Sequence, residues 1–199
     1  MKTGLYFGSF NPIHVGHLVI AGYMTEFTDI DSVWFVVSPH NPLKEKHTLL
    51  ADHHRLQMVR IAIEDNNKLK ASDIEFGLPV PSYTIHTLAH IAEKYPERTF
   101  VLLMGGDNLQ SFHKWKNYEF ILDNYEIYVY SRPGHSESLP EIASHPNVKV
   151  VDAPLMEISS SFIRDAIRNK KDIRYMLPEK VHQYVREMHF YESKKSKKS

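Results

Sequence analysis

The chain has 199 residues, with 24 Lys plus Arg against 24 Asp plus Glu, and no Cys. This length suits one domain with a buried core. Balanced charge argues against a nucleic-acid partner, and the lack of Cys excludes disulfides and thiolate metal sites and fits the cytoplasm.

Met1-Lys-Thr leads straight into a strand pattern with no signal-peptide apolar region. The longest apolar runs, 33–37 and 100–104, are too short to span a bilayer, so no membrane partner is expected. Residues 4–7 read as a strand. Residues 17–27 read as a helix whose buried stripe is Leu18, Ala21, Met24 and Phe27. The continuous apolar run 33–37 has the character of a buried parallel strand. A polar, Pro-containing loop covers 38–50. Asp52 is placed to cap a helix with Leu56, Val59 and Ile63 inward.

Residues 70–76 form a weaker strand pattern. Pro81-Ser82 opens a helix over 83–95 that buries Ile85, Leu88, Ile91 and Ala92. A buried strand over 99–104 is broken by Gly105-Gly106-Asp107. A helix is expected over 117–122, then strands over 126–130 and 148–151, the first ended by Arg132-Pro-Gly134. Helices over 160–167 and 178–188 follow, the latter with Pro178 in its first turn. The chain ends in a Lys/Ser-rich run. The expected organisation is a single domain over 1–191 and a solvated tail over 192–199.

Strands alternating with helices predict an α/β doubly wound parallel sheet with a small C-terminal helical segment. In such sheets ligands bind beyond the carboxyl ends of the strands, where the strand order reverses. The segments with chemical character all follow strands: 8–17, 38–46, 105–115, 132–134 and 158–164.

In the first of these, His14-x-Gly-His17 opens a helix directly after a strand and a Gly-containing turn. A helix N-terminus offers unpaired N–H groups and partial positive charge, and two imidazoles add donors there. Gly16 lets a phosphate approach the backbone. Structural histidines capping a turn, or a metal pair, are the plainer readings of the same two residues. In the last segment, Ser159 and Ser160 alone would read as helix caps. Arg164, one turn beyond Ser160 on the same face, makes a cluster suited to phosphates. Lys44 sits in a loop restricted by two prolines. Asp107 is suited to sugar hydroxyls, and Trp115, amid polar neighbours, to stacking on a flat heterocycle.

Together, Gly8-Ser-Phe-Asn-Pro-x-His-x-Gly-His17 and Ile158-Ser-Ser-Ser-x-Ile-Arg164 resemble the two signatures of the nucleotidyltransferase superfamily of adenylyl- and cytidylyltransferases. The intervening segments are similar to those of bacterial nicotinate-nucleotide adenylyltransferases: Pro42-x-Lys44, Pro81-Ser-Tyr-Thr84, Gly105-Gly-Asp107 with Lys114-Trp115, and Arg132-Pro-Gly134. So is Leu177-Pro-Glu-Lys-Val-x-x-Tyr-Val185. The likeness runs in order from about residue 5 to residue 191. It departs from the usual pattern at Phe7 (Gly), Ser9 (Thr), Asn11 (Asp), Leu43 (His) and Ser161 (Thr).

The resemblance implies a Rossmann-like fold and transfer of the adenylyl group of ATP to nicotinate mononucleotide, with Mg²⁺ accompanying the ATP. His14, His17, Lys44 and Arg164 would be catalytic. Gly8, Ser9, Phe10, Gly16, Gly106, Asp107, Ile158, Ser159 and Ser160 would bind ATP. Ser82, Tyr83, Thr84, Trp115 and Arg132 would bind the mononucleotide. No protein metal ligands are expected, and self-association is left open. Competing readings are another adenylyl- or cytidylyltransferase, a preference for nicotinamide mononucleotide, a catalytically silent nucleotide-binding module, and a metal-binding protein built on the histidines.

Overall fold

The computed structural model describes residues 1–39, 49–130, 140–154 and 156–193. Six parallel strands form one sheet: β1 (Lys2–Gly8), β2 (Ser32–Val37), β3 (Leu69–Ser72), β4 (Thr99–Gly105), β5 (Glu126–Tyr130) and β6 (Val148–Val151). Their order is β3-β2-β1-β4-β5-β6. The chain steps outward one way from β1, then resumes on its other side at β4, so the order reverses between β1 and β4. Gly8 pairs with Val37, and Tyr6 with Leu103, which aligns the carboxyl ends of the central strands.

Among the described residues, seven α-helices cover the faces: α1 (Val15–Phe27), α2 (Asp52–Ala62), α3 (Thr84–Lys94), α4 (Gly106–Gln110), α5 (Tyr118–Asn124), α6 (Ser160–Arg168) and α7 (Glu179–Glu187). The period-two alternation of the strands divides the core in two. Tyr6, Val33, Phe35, Val37, Val101 and Leu103 point to one face, where residues of α1, α2, α6 and α7 cover them. Leu5, Trp34, Val36, Leu102 and Met104 point to the other, against α3, α4 and α5. Every residue of β2 is buried, as expected of a strand covered on both sides.

Several boundaries differ from the sequence expectation. Phe27 is 73% exposed and stacks on Tyr23 at 5.0 Å, outside the core. A helix turns about 100° per residue, so nine residues carry Phe27 to the side opposite Leu18. Ile20, Ala21 and Met24 form the buried stripe instead. Asp52 does not cap α2. Ala51 holds the N-cap, and the Asp52 carboxylate turns to Arg55 at 2.5 Å. β3 ends at Ser72 and is followed by a 3-10 turn over Ile74–Gly77 that buries Glu75. β4 runs one residue past the expected end, to Gly105, and Gly106 starts α4 at once. Pro178 is the N-cap of α7, with Glu179 first in the helix.

Candidate active site

Two segments meet at the reversal point: the loop after β1, which runs into α1, and α4, which follows β4. Phe10 in that loop has φ 45° and is buried, its ring edge-on to Tyr6, His17 and Phe35. A Cβ at Gly8 would fall 2.8 Å from the Phe10 ring. Glycine there lets the loop fold its own aromatic anchor under the strand end. At Gly16 a Cβ would lie 3.1 Å from His14 Nδ1, so this glycine makes room for the imidazole.

His14 is the N-cap of α1, and its ring stacks on His17 at 3.7 Å and 27°. The backbone N–H of His14 donates to His17 Nδ1 at 3.2 Å. The plainer reading of the pair as caps is therefore realised, and it also has a chemical result. With Nδ1 accepting, the proton of a neutral His17 ring resides on Nε2, so that nitrogen is a donor.

Arg55 is one residue that sequence reasoning missed. Its side chain is fully buried in α2. It donates to the carbonyl oxygens of Ser9 (2.6 Å), Ser38 (2.8 Å), Leu50 (3.0 Å) and Pro39 (3.3 Å), and pairs with Asp52. Burial pushes its pKa down, and the Asp52 carboxylate opposes that. One guanidinium thus joins the loops that follow β1 and β2. In sequence it is one polar residue in His53-His-Arg55, and nothing there distinguishes it from a surface arginine.

The second signature lands on the same loop. Ser160 Oγ donates to the carbonyl of Pro12 at 2.9 Å, and Arg164 Nη1 to that of Asn11 at 2.8 Å. The i,i+4 spacing read from the sequence therefore grips two consecutive carbonyls. Arg164 Nη2 reaches Ser161 Oγ at 3.1 Å, and its Nε is buried with no hydrogen-bond partner among the described residues. A buried guanidinium N–H of this kind is suited to an oxyanion. Ser159 is the N-cap of α6, accepting from the Phe162 N–H, and Ile158 packs on the core. Asn11, the departure from an acidic position, is buried. Its Oδ1 accepts from Tyr191 O–H at 2.8 Å and Leu50 N–H at 3.3 Å. Phe7, another departure, packs on the α3–α5 face.

On the β4 side, Gly106 is buried and Asp107 half-buried in the first turn of α4. Trp115 is half-buried against Phe112 at 5.3 Å. Lys116 Nζ stands 4.6 Å over the Tyr83 ring, which brings the Trp115 segment to the start of α3. Glu75, also unforeseen, accepts from Ser82 Oγ at 3.2 Å and Thr87 Oγ1 at 2.7 Å. It pins the turn holding Ser82, Tyr83 and Thr84. Lys44, with the rest of Pro42-x-Lys44, and Arg132 lie outside the described residues.

Among the described residues, no three His, Asp or Glu side chains gather as metal ligands, and no helix is long and apolar enough to cross a membrane. The side chains at the loop are of types that can donate to oxyanions. A cavity of about 680 Å³ is lined by Arg168, Lys171, Arg174, His182 and Arg186, among others, and shares no residue with this site. Convergent donors, not the size of a hollow, mark the place.

The cytidylyltransferase-like family model matches residues 5–166. The chain is 58% identical over 191 residues to the probable nicotinate-nucleotide adenylyltransferase of Flavobacterium johnsoniae, covering 96% of this chain and 99% of that one. It is 50% identical over 184 residues to the protein of the same name from Bacteroides fragilis, covering 92% and 90%. Among solved structures, Plasmodium falciparum nicotinic acid mononucleotide adenylyltransferase complexed with NaAD superposes with a TM-score of 0.82 at 21% identity, covering 96% and 97%. The same protein complexed with APC gives 0.81 over 96% of each chain. At that identity the likeness concerns the fold.

Proposed function

The chain belongs to the nicotinate-nucleotide adenylyltransferase family, within the cytidylyltransferase-like proteins, and from that premise we propose that it transfers the adenylyl group of ATP to nicotinate mononucleotide. The products are deamido-NAD and pyrophosphate, in NAD biosynthesis. One observation carries the reading to this site: Ser160 and Arg164 of α6 grip the loop that ends in the His14–His17 pair, at the point where the strand order reverses.

A phosphate oxygen of the mononucleotide attacks the α-phosphorus of ATP in line, and the bond from that phosphorus to the β-phosphate bridging oxygen breaks. Pyrophosphate leaves with the electron pair. Such a transfer needs positioning and charge stabilisation, not a side-chain nucleophile. His17 Nε2–H and the His14 ring donate to phosphate oxygens as charge shifts toward the leaving group. Arg164 offers its buried Nε–H to the departing pyrophosphate, beside Ser159 and Ser160. Lys44 meets the same phosphates from the loop after β2. Gly8, Ser9, Phe10 and Gly16 shape the ATP wall, with Gly106 and Asp107 at the adenosine. Trp115 stacks on the nicotinate ring, with Ser82, Tyr83, Thr84 and Arg132 around it. A divalent cation such as Mg²⁺, accompanying ATP, would neutralise charge on the phosphates, while Ser159, Ser160 and Arg164 would hold the triphosphate that carries it. The enzyme acts in the cytoplasm as one domain over 1–191.

The test is pyrophosphate release from MgATP with nicotinate mononucleotide, nicotinamide mononucleotide and phosphopantetheine in separate reactions. Release with nicotinate mononucleotide at the highest kcat/KM is expected. A silent protein with both pyridine nucleotides would overturn the proposal.

A further inference from the structure

We propose that Tyr191 is a positioning residue for adenylyl transfer: through Asn11 it holds in place the loop that presents His14 and His17. The inference rests on the adenylyltransferase reading.

Asn11 lies three residues before His14 and is buried. Among the described residues, three donors from separate parts of the chain meet on it. Tyr191 O–H and Leu50 N–H share its Oδ1, and Arg164 takes its backbone oxygen. Leu50 closes the segment that carries Lys44. One side-chain oxygen therefore ties the histidine loop, Leu50 just ahead of α2, and the segment after α7.

Tyr191 is built for that task. Its backbone sits at φ 65°, a conformation a residue with a Cβ keeps only when its surroundings hold it there. The ring packs against the core cluster beside Phe190, 6.2 Å away. Burial holds the phenol in its protonated form, although Arg164 and Arg55 both pull the other way. The hydroxyl is thus a donor throughout the working pH range. An amide at position 11 answers it with a neutral acceptor. Each of the two residues has another anchor, so losing the hydroxyl loosens the loop without unfolding the protein. Phosphoryl-type transfer is sensitive to such loosening, because misplacement costs rate even far from the chemistry.

The experiment compares wild type with Tyr191→Phe as full-length chains, well below their melting temperatures. A fall in kcat of about 5–10-fold is expected, the scale of one hydrogen bond, with KM for nicotinate mononucleotide held within about twofold. Hydrogen exchange of residues 9–17 should quicken in the same variant. In an Asn11→Ala background, Tyr191→Phe should cost no further kcat. If Asn11→Ala does not fold, Asn11→Asp replaces it, and there the Tyr191→Phe penalty should persist because the acceptor is retained. Unchanged kcat, unchanged exchange, or an equal penalty in the Asn11→Ala background would each overturn the assignment. A wild type inactive on pyridine nucleotides would strike the adenylyltransferase reading instead, while the exchange measurement would still decide whether Tyr191 holds the loop.

Discussion

The two walls of the crevice are held in different ways. On the β1 wall, the backbone oxygens of Ser9, Asn11 and Pro12 each accept from a distant side chain: Arg55, Arg164 and Ser160. On the β4 wall, Asp107 and Trp115 ride on short helical turns that bury Leu109 and Phe112, and the neighbouring Ser82–Thr84 turn leans on Glu75. The difference fits the chemistry proposed for each wall. Donors aimed at developing charge need directional restraint, because an ångström of error forfeits much of their effect. A slot for a flat ring needs shape, and packing alone supplies that.

The sharpest way to break the contrast is His17→Ala on the β1 wall. It should remove about 3–5 kcal/mol of transition-state stabilisation, seen in kcat, as for loss of one preorganised donor. A near-normal kcat would show that His17 only caps α1. Next is Arg55→Ala, which leaves four carbonyl oxygens and Asp52 without their donor. We expect about 3 kcal/mol lost in urea unfolding, and a loss nearly as large for Arg55→Lys, because one ammonium cannot span those acceptors.

On the β4 wall the effect should be smaller and of another kind. Trp115→Ala should raise KM for the mononucleotide by about tenfold while kcat stays within threefold. An equal fall in kcat would mean that this wall also carries transition-state work.

The smallest effect lies at the opposite end of the sheet and serves as a control. Lys2 Nζ joins Asp29 at 2.7 Å and Glu126 at 2.8 Å. The Lys2 hydrogen bond, with that from Tyr128, holds the Asp29 carboxyl down at about 2. A depressed carboxylate contributes stability above its unfolded value near 4, and that contribution is lost as pH falls toward 2. Asp29 is mostly exposed, so the term is small. Asp29→Asn should flatten the acid limb of the unfolding curve slightly, and leave kcat at pH 7 unchanged.

Most of the sheet was legible because buried parallel strands read as unbroken apolar runs, as in Val33–Val37. Where local signals competed, reading failed. The every-third-residue stripe of α1 drifted off the helical repeat at Phe27, and Asp52 looked like a cap because its real partner, Arg55, lies inside the helix. Of the site, His14-x-Gly-His17 and the Ser160–Arg164 face were legible, since local spacing sets both. The use made of Gly8 and Gly16 was not, because the space beside them is filled by Phe10 and His14 after the loop folds back. Arg55, Glu75 and Tyr191 were missed for one reason: each acts on a segment distant in sequence or across a turn, and its partners there (backbone carbonyls, hydroxyls, the Asn11 amide) carry no signal that points back to it.

The bond between Tyr191 and Asn11 spans 180 positions of chain. On a ribosome working at ordinary speed, roughly 10–40 s separate the making of its two ends. The two imidazoles emerge among the first residues, and β1 waits for β4 before its second edge is paired. A nascent chain can therefore own a nearly finished sheet and still lack the last restraint on its reactive loop. The reactive loop should reach its full rate only with the arrival of residue 191, not with completion of the sheet.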